Sequence, residues 1–128
     1  PLWIDRAAEA SLRRARIERI NAQIEAHDLK QSIENELITS KLEVESTGAM
    51  WMEWDAIVKA YQEQFELSES RFQQGRGDIV AVLRAREAEL NAEASMDDAR
   101  INHTQAWIRL IAAQGMATQA SVLNSFKR

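Results

Sequence analysis

The stretch Arg71-Phe72-Gln73-Gln74-Gly75-Arg76-Gly77-Asp78-Ile79-Val80-Ala81-Val82-Leu83 decides the fold, because turn chemistry breaks the helical periodicity of both flanks here and nowhere else so strongly. Gly75 and Gly77 can take the positive φ that ends a helix, and Asp78 can accept hydrogen bonds from the free N–H groups of a new helix beginning at Ile79. These residues predict the tip of a long antiparallel helical hairpin, an all-α and coiled-coil-like fold.

Upstream of the tip, Asp5 is placed to cap a helix over 5–72 that contains no proline and is built from Ala, Glu, Arg, Gln, Leu and Ile. At about 1.5 Å per residue it would be roughly 100 Å long, a rod and not an ordinary globular helix. Residues 1–4, Pro1-Leu2-Trp3-Ile4, read as an extended lead-in from a missing segment. In the second half of the long helix, Val44, Thr47, Trp51, Trp54, Val58, Tyr61, Phe65, Ser68 and Phe72 follow an alternating three-four spacing, which is a heptad seam. Ile33 and Leu37 extend it backward. Ile17, Ile20 and Ile24 form a similar but offset seam, which implies a stutter between Ile24 and Ile33. Gly48 lies inside the helix at a cost of about 1 kcal/mol relative to Ala, and reads equally as a close approach, a bend or a tolerated glycine.

Downstream, residues 73–78 are expected to form the turn and 79–115 the second helix. A boundary is expected near Gly115, with 116–128 as an extension in which Val122, Leu123 and Phe126 suit a short helix. The second helix carries two stripes. Ala85, Glu89, Ala92, Met96, Ala99, His103, Ala106, Leu110 and Ala113 make a seam of mostly small residues, while Ile79, Leu83, Leu90, Ile101, Thr104, Ile108 and Ile111 make another of mostly large ones. Folding back about Gly75 sets Trp51 against Ala99, Trp54 against Met96, Val58 against Ala92 and Phe65 against Ala85. Large meets small, which lets two helices approach closely at interior density. The Ile and Leu stripe is then left uncovered, and an apolar strip of that length argues for helical neighbours on both sides.

The 128 residues suffice for one domain, with a net charge of −4, so bulk charge favours neither nucleic acid nor an anionic membrane. No cysteine is present, which removes disulfides, thiolate nucleophiles and Cys-based metal sites. The chain opens on Pro1 without an initiator Met, as expected of an excised piece of a larger protein.

No catalytic constellation, metal site or cofactor site is expected. His27 and His103 lie far apart in the hairpin, since His103 falls opposite Thr47, and neither belongs to a His-Glu-x-x-His or Glu-x-x-His pattern. Carboxylates at Glu43, Glu45, Glu87, Glu89, Glu93, Asp97 and Asp98 alternate with Arg and Lys at helical spacing, as solvated helix faces do. Gly75 and Gly77 join two helices and do not form a phosphate loop between a strand and a helix.

Arg71-Phe72-Gln73-Gln74-Gly75 followed by Ile79-Val80-Ala81-Val82-Leu83-Arg84-Ala85-Arg86 resembles the TolC-like outer membrane efflux proteins, whose repeats carry an Arg-Tyr/Phe-x-x-Gly turn, an aliphatic segment and an alanine-rich helix. Ala99-Arg100, Ala106, Leu110, Ala113 and Gly115 are similar to the family's closing helix, and Pro1-Leu2-Trp3 to the step from membrane strand into periplasmic helix. The resemblance implies the helical part of a second repeat, within a trimeric channel whose hairpins form a periplasmic α-helical barrel in the cell outer membrane. It implies that Arg71, Phe72, Gln74, Gly75, Arg76, Gly77 and Asp78 form a tip that docks a periplasmic adaptor, which links the channel to an inner membrane pump. Ala81 and Arg84 would stand at the channel entrance, where the family's type member has aspartates, so an acidic ring is missing here.

The alternative reading is a structural coiled-coil hairpin used for self-assembly or scaffolding, which self-associates into a four-helix bundle. In either reading the isolated piece is expected to be a rod-like hairpin that dimerises through its Ile and Leu stripe. A third, the hairpin of the adaptor itself, would be expected to continue into Gly- and Val-rich β segments, which are not seen.

Overall fold

In the computed structural model, which describes residues 1–126, two helices fold back on one another as a hairpin: α1, Leu2–Gln73, and α2, Ile79–Phe126. At about 1.5 Å per residue they are roughly 110 Å and 70 Å long. Contacting residues on the two helices have numbers that sum to about twice 75: Thr47 meets His103, Glu43 meets Arg109 and Arg86 lies over Phe65. The register read from the turn is therefore the register of the fold.

The core is a single thin seam. On α2, Val82, Ala85, Glu89, Ala92, Ala99, Ala106, Leu110 and Ala113 are buried, with Met96 and His103 half-buried between them. Opposite, Ser40 and Val58 are buried, and Ile33, Leu37, Val44, Thr47, Trp51, Trp54, Phe65 and Ser68 are half-buried. The pairing of bulky α1 side chains with alanines on α2 is thus the packing principle of the hairpin.

Four details differ from the sequence reading. Helix α1 begins at Leu2, so residues 2–4 are helical: the Pro1 carbonyl accepts hydrogen bonds from the N–H groups of Ile4 and Asp5, and Asp5 lies in the first turn instead of capping it. Gly115 does not end α2, which runs on to Phe126. One glycine costs about 1 kcal/mol, and Ala117 and Ala120 carry the half-buried seam past it, level with Ile33 and Lys30. Tyr61 and Phe72 are exposed and not in the seam. Tyr61 is level with Glu89, whose paired carboxylate occupies the interface, and Phe72 is level with the turn, where no helix remains to cover it.

The accessible surface is 10409 Å², whereas a compact monomer of 14.6 kDa would expose about 6,900 Å². The difference is mostly helix flank. Ile101, Ile108 and Ile111 on α2 and Ile38, Leu42 and Met52 on α1 are all exposed, so both helices carry an apolar stripe turned away from their mate.

Candidate functional site

At the tip, the backbone bonds of the two helix ends are closed by the turn itself. The N–H of Arg76 donates to the Arg71 carbonyl at 2.8 Å and that of Gly75 to the Phe72 carbonyl at 3.0 Å. This pair of bonds is the Schellman arrangement, and it requires a left-handed residue, supplied by Gly75 at φ 75°. Gly77 is needed for a different reason. A Cβ there would lie 3.1 Å from the backbone nitrogen of Phe72. Asp78 then opens α2: its Oδ1 accepts the Val80 N–H at 3.2 Å, and its carbonyl accepts those of Ala81 and Val82.

Closing the backbone internally leaves the side chains free to face outward. Arg71, Phe72, Gln74, Gly75, Arg76, Gly77 and Asp78 are all exposed, and the structure brings them together within one turn. Arg71, in the last turn of α1, also complements the negative end of that helix. The Gln74 amide reaches only to the Ser70 hydroxyl, at 3.4 Å. Ala81 and Arg84, three residues apart, are exposed beside the buried Val82 and Ala85. Ile79 and Leu83 are exposed, as expected for the uncovered stripe, and Phe72, expected in the seam, and Val80 stand exposed around the same turn, a concentration of large apolar side chains readable only once the turn is closed.

A second polar feature lies midway along the rod. Trp107 Nε1–H donates to His103 Nε2 at 3.0 Å, and an indole nitrogen can only donate. The neutral imidazole therefore carries its hydrogen on Nδ1 and donates to Thr47 Oγ1 at 3.0 Å, while the Thr47 hydroxyl donates to the Glu43 carbonyl at 2.6 Å. Trp51 packs on the ring with centroids 5.6 Å apart. Gly48 makes room for it: a Cβ at that position would meet His103 Cε1 at 3.1 Å. The close-approach reading of Gly48 is the one the fold uses. His27 sits exposed on the far part of α1. Among the described residues, no three His, Asp or Glu side chains converge as metal ligands would.

Glu89 is the charged member of the seam. Only 4% exposed, it accepts a hydrogen bond from Arg86 at 2.8 Å, and the same guanidinium covers the Phe65 ring at 5.2 Å.

Compared with protein-family models, with curated proteins and with solved structures, the chain matches none.

Proposed function

We propose that this hairpin is a wall segment of a trimeric, TolC-like outer membrane efflux channel, and that its tip docks a periplasmic adaptor while small molecules pass along the tunnel unaltered. The observation that carries the reading is that each helix has an outward apolar stripe opposite its buried seam, at matching heights. Leu42 is level with Ile108, Ala49 with Ile101 and Ile38 with Ile111, and the isoleucines and leucine of these pairs are exposed. A hairpin with such stripes on both flanks can pack against a neighbouring hairpin on each side, in register and without end until a ring closes. The same arrangement would remove from water much of the flank that the isolated rod exposes.

In this reading Ala81 and Arg84 face the entrance, which lacks an acidic ring. Among the described residues no helix is long and apolar enough to cross a membrane, so the reading assigns membrane insertion to strands outside these residues.

The test is to place a photo-crosslinking residue at Leu42, and separately at Ile108, in the intact protein in cells. The two positions are on faces turned away from each other within one hairpin, and if the hairpin is the second of two repeats its neighbours on both sides are hairpins of the other repeat. Covalent products that stop at three copies, joined through segments outside this hairpin, support the tunnel. A dimer joined hairpin to identical hairpin favours the scaffolding reading, and no adduct at either position removes the lateral packing on which the reading depends.

A further inference from the structure

We infer that the Thr47, His103 and Trp107 side chains form an acid-sensitive switch, in which protonation of the imidazole releases the Trp107 indole from its place on α2. The bonds around the ring run in one direction and fix one protonation state. Trp107 Nε1–H donates to His103 Nε2 at 3.0 Å, Nδ1–H donates to Thr47 Oγ1 at 3.0 Å, and the Thr47 hydroxyl passes its own hydrogen to the Glu43 carbonyl at 2.6 Å. Only a neutral imidazole can hold both of its bonds, because Nε2 must act as an acceptor. A proton added there sets N–H against N–H, and one side must give way.

Which side moves follows from what holds each. The imidazole keeps its bond to Thr47, since Nδ1 donates in either protonation state. It is seated over Gly48, and its centroid lies 5.6 Å from that of Trp51, whose π-system attracts a cation. The Trp107 indole is 47% exposed, and among the described residues its one hydrogen bond is to His103. Water can replace that bond, so the indole is the group that leaves. Charged side chains within a turn of the cluster are Glu43, Glu45, Glu53 and Asp55 on α1 and Arg100 and Arg109 on α2. Glu43 is bonded to Arg109, Asp55 to Lys59 and Arg100 to Asp97, while Glu45 and Glu53 are exposed. Among the described residues no carboxylate lies within ion-pair reach of the imidazole, so a new Nε2–H turns to water. Ile111 is one turn on from Trp107 on the same side of α2 and is also exposed, so release of the indole changes the edge of that helix's outer stripe. The switch is independent of whether hairpins pack into a tunnel.

The experiment uses the intact protein labelled with fluorotryptophan and follows its fluorine resonances from roughly pH 8 to pH 5, the range in which imidazoles ordinarily change charge. The Trp107 signal is identified by its loss in Trp107→Phe, and its shift between light and heavy water reads the exposure of the ring. On acidification the ratio of released to bonded indole should rise about tenfold per pH unit, the slope of a single proton, with helicity unchanged. The midpoint should coincide with that of the His103 ring protons, which attributes the transition without any substitution there. His103→Gln, which leaves no titrating ring, should abolish the transition, and His27→Gln should leave it in place. Constant exposure of Trp107 across this range, a midpoint apart from that of His103, the same transition in His103→Gln, its loss in His27→Gln, or a transition accompanied by loss of helicity each overturns the switch.

Discussion

Replacing Gly48 by Ala isolates the fit between α1 and the His103 ring. In a helix interior Ala is favoured over Gly by about 1 kcal/mol, so the substitution should stabilise if nothing else changes. Here the new Cβ would lie 3.1 Å from His103 Cε1, and the ring must retreat by a few tenths of an ångström. Retreat is resisted on both sides, by the bond to Thr47 at 3.0 Å and by the bond from Trp107 at 3.0 Å. Each contributes about 0.5–1.5 kcal/mol, so losing both costs about 1–3 kcal/mol and cancels or exceeds the helix gain. Gly48→Ala alone should therefore leave stability unchanged or lower it by up to about 2 kcal/mol. In a His103→Ala background the obstacle is gone, and the same substitution should stabilise by about 1 kcal/mol. The coupling between the two sites is then about 1–3 kcal/mol. Urea unfolding followed by far-ultraviolet circular dichroism measures it, with all four proteins at one concentration because association shifts apparent stability. A gain of about 1 kcal/mol in both backgrounds would refute the assignment of Gly48 to the imidazole.

At the tip, Gly75→Ala should cost about 1–2 kcal/mol from its positive φ alone, although nothing lies within 4 Å of the added Cβ. Gly77→Ala should also destabilise, through the Phe72 backbone contact, and thermal unfolding of the two single variants checks both. Arg86→Met strips the counter-charge from buried Glu89 and should cost about 1–3 kcal/mol, less than a fully buried pair because Arg86 is half-exposed. Glu89→Leu should be close to neutral, and denaturant midpoints decide the contrast. Ile108→Lys should change the stability of dilute protein by no more than about 0.5 kcal/mol. It should nevertheless abolish the rise of melting temperature with protein concentration that lateral packing produces.

The hairpin was legible because its signals are periodic and its turn is chemical. Val58 and the half-buried Trp51, Trp54 and Phe65 sit where three-four spacing placed them, and the alanines of α2 face them. Ser40 was missed although it is 2% exposed. It falls between Leu37 and Val44 at seam spacing, but a serine there looks like a solvated residue, and only the packed partner shows that a small side chain is what fits. The outer stripe of α1 was missed for a related reason. Ile38, Leu42, Ala49 and Met52 are diluted by Glu45 and by the stronger aromatic seam, and the stripe becomes visible when its height is compared with Ile101, Ile108 and Ile111. At the tip the turn residues were readable singly, whereas the clustering of exposed apolar side chains depends on α1 and α2 meeting. Nothing in local propensity could end α2 at Gly115 once Ala117 and Ala120 continue its seam.

The polar contacts that cross between the helices bear on register. Ala85, Ala92, Ala99, Ala106 and Ala113 recur every seventh residue and are all buried, so a slide of α2 along α1 by one heptad would present nearly the same small surface to the aromatic stripe. An alanine seam by itself does not distinguish those alignments. Features that occur once do. The 74–78 turn fixes one end, the imidazole of His103 seated over Gly48 and bonded to Thr47 fixes the middle, and Arg109 bonded to Glu43 at 3.1 Å lies beyond it. Polar residues at seam positions set register in coiled coils at a cost in stability, and the His103–Thr47 bond across the two helices is placed to do so here. A slide of seven residues would move Ile108 by roughly 10 Å relative to Leu42. The matched heights of the two outer stripes, and with them any lateral packing of copies, therefore depend on the same pins that align the interior.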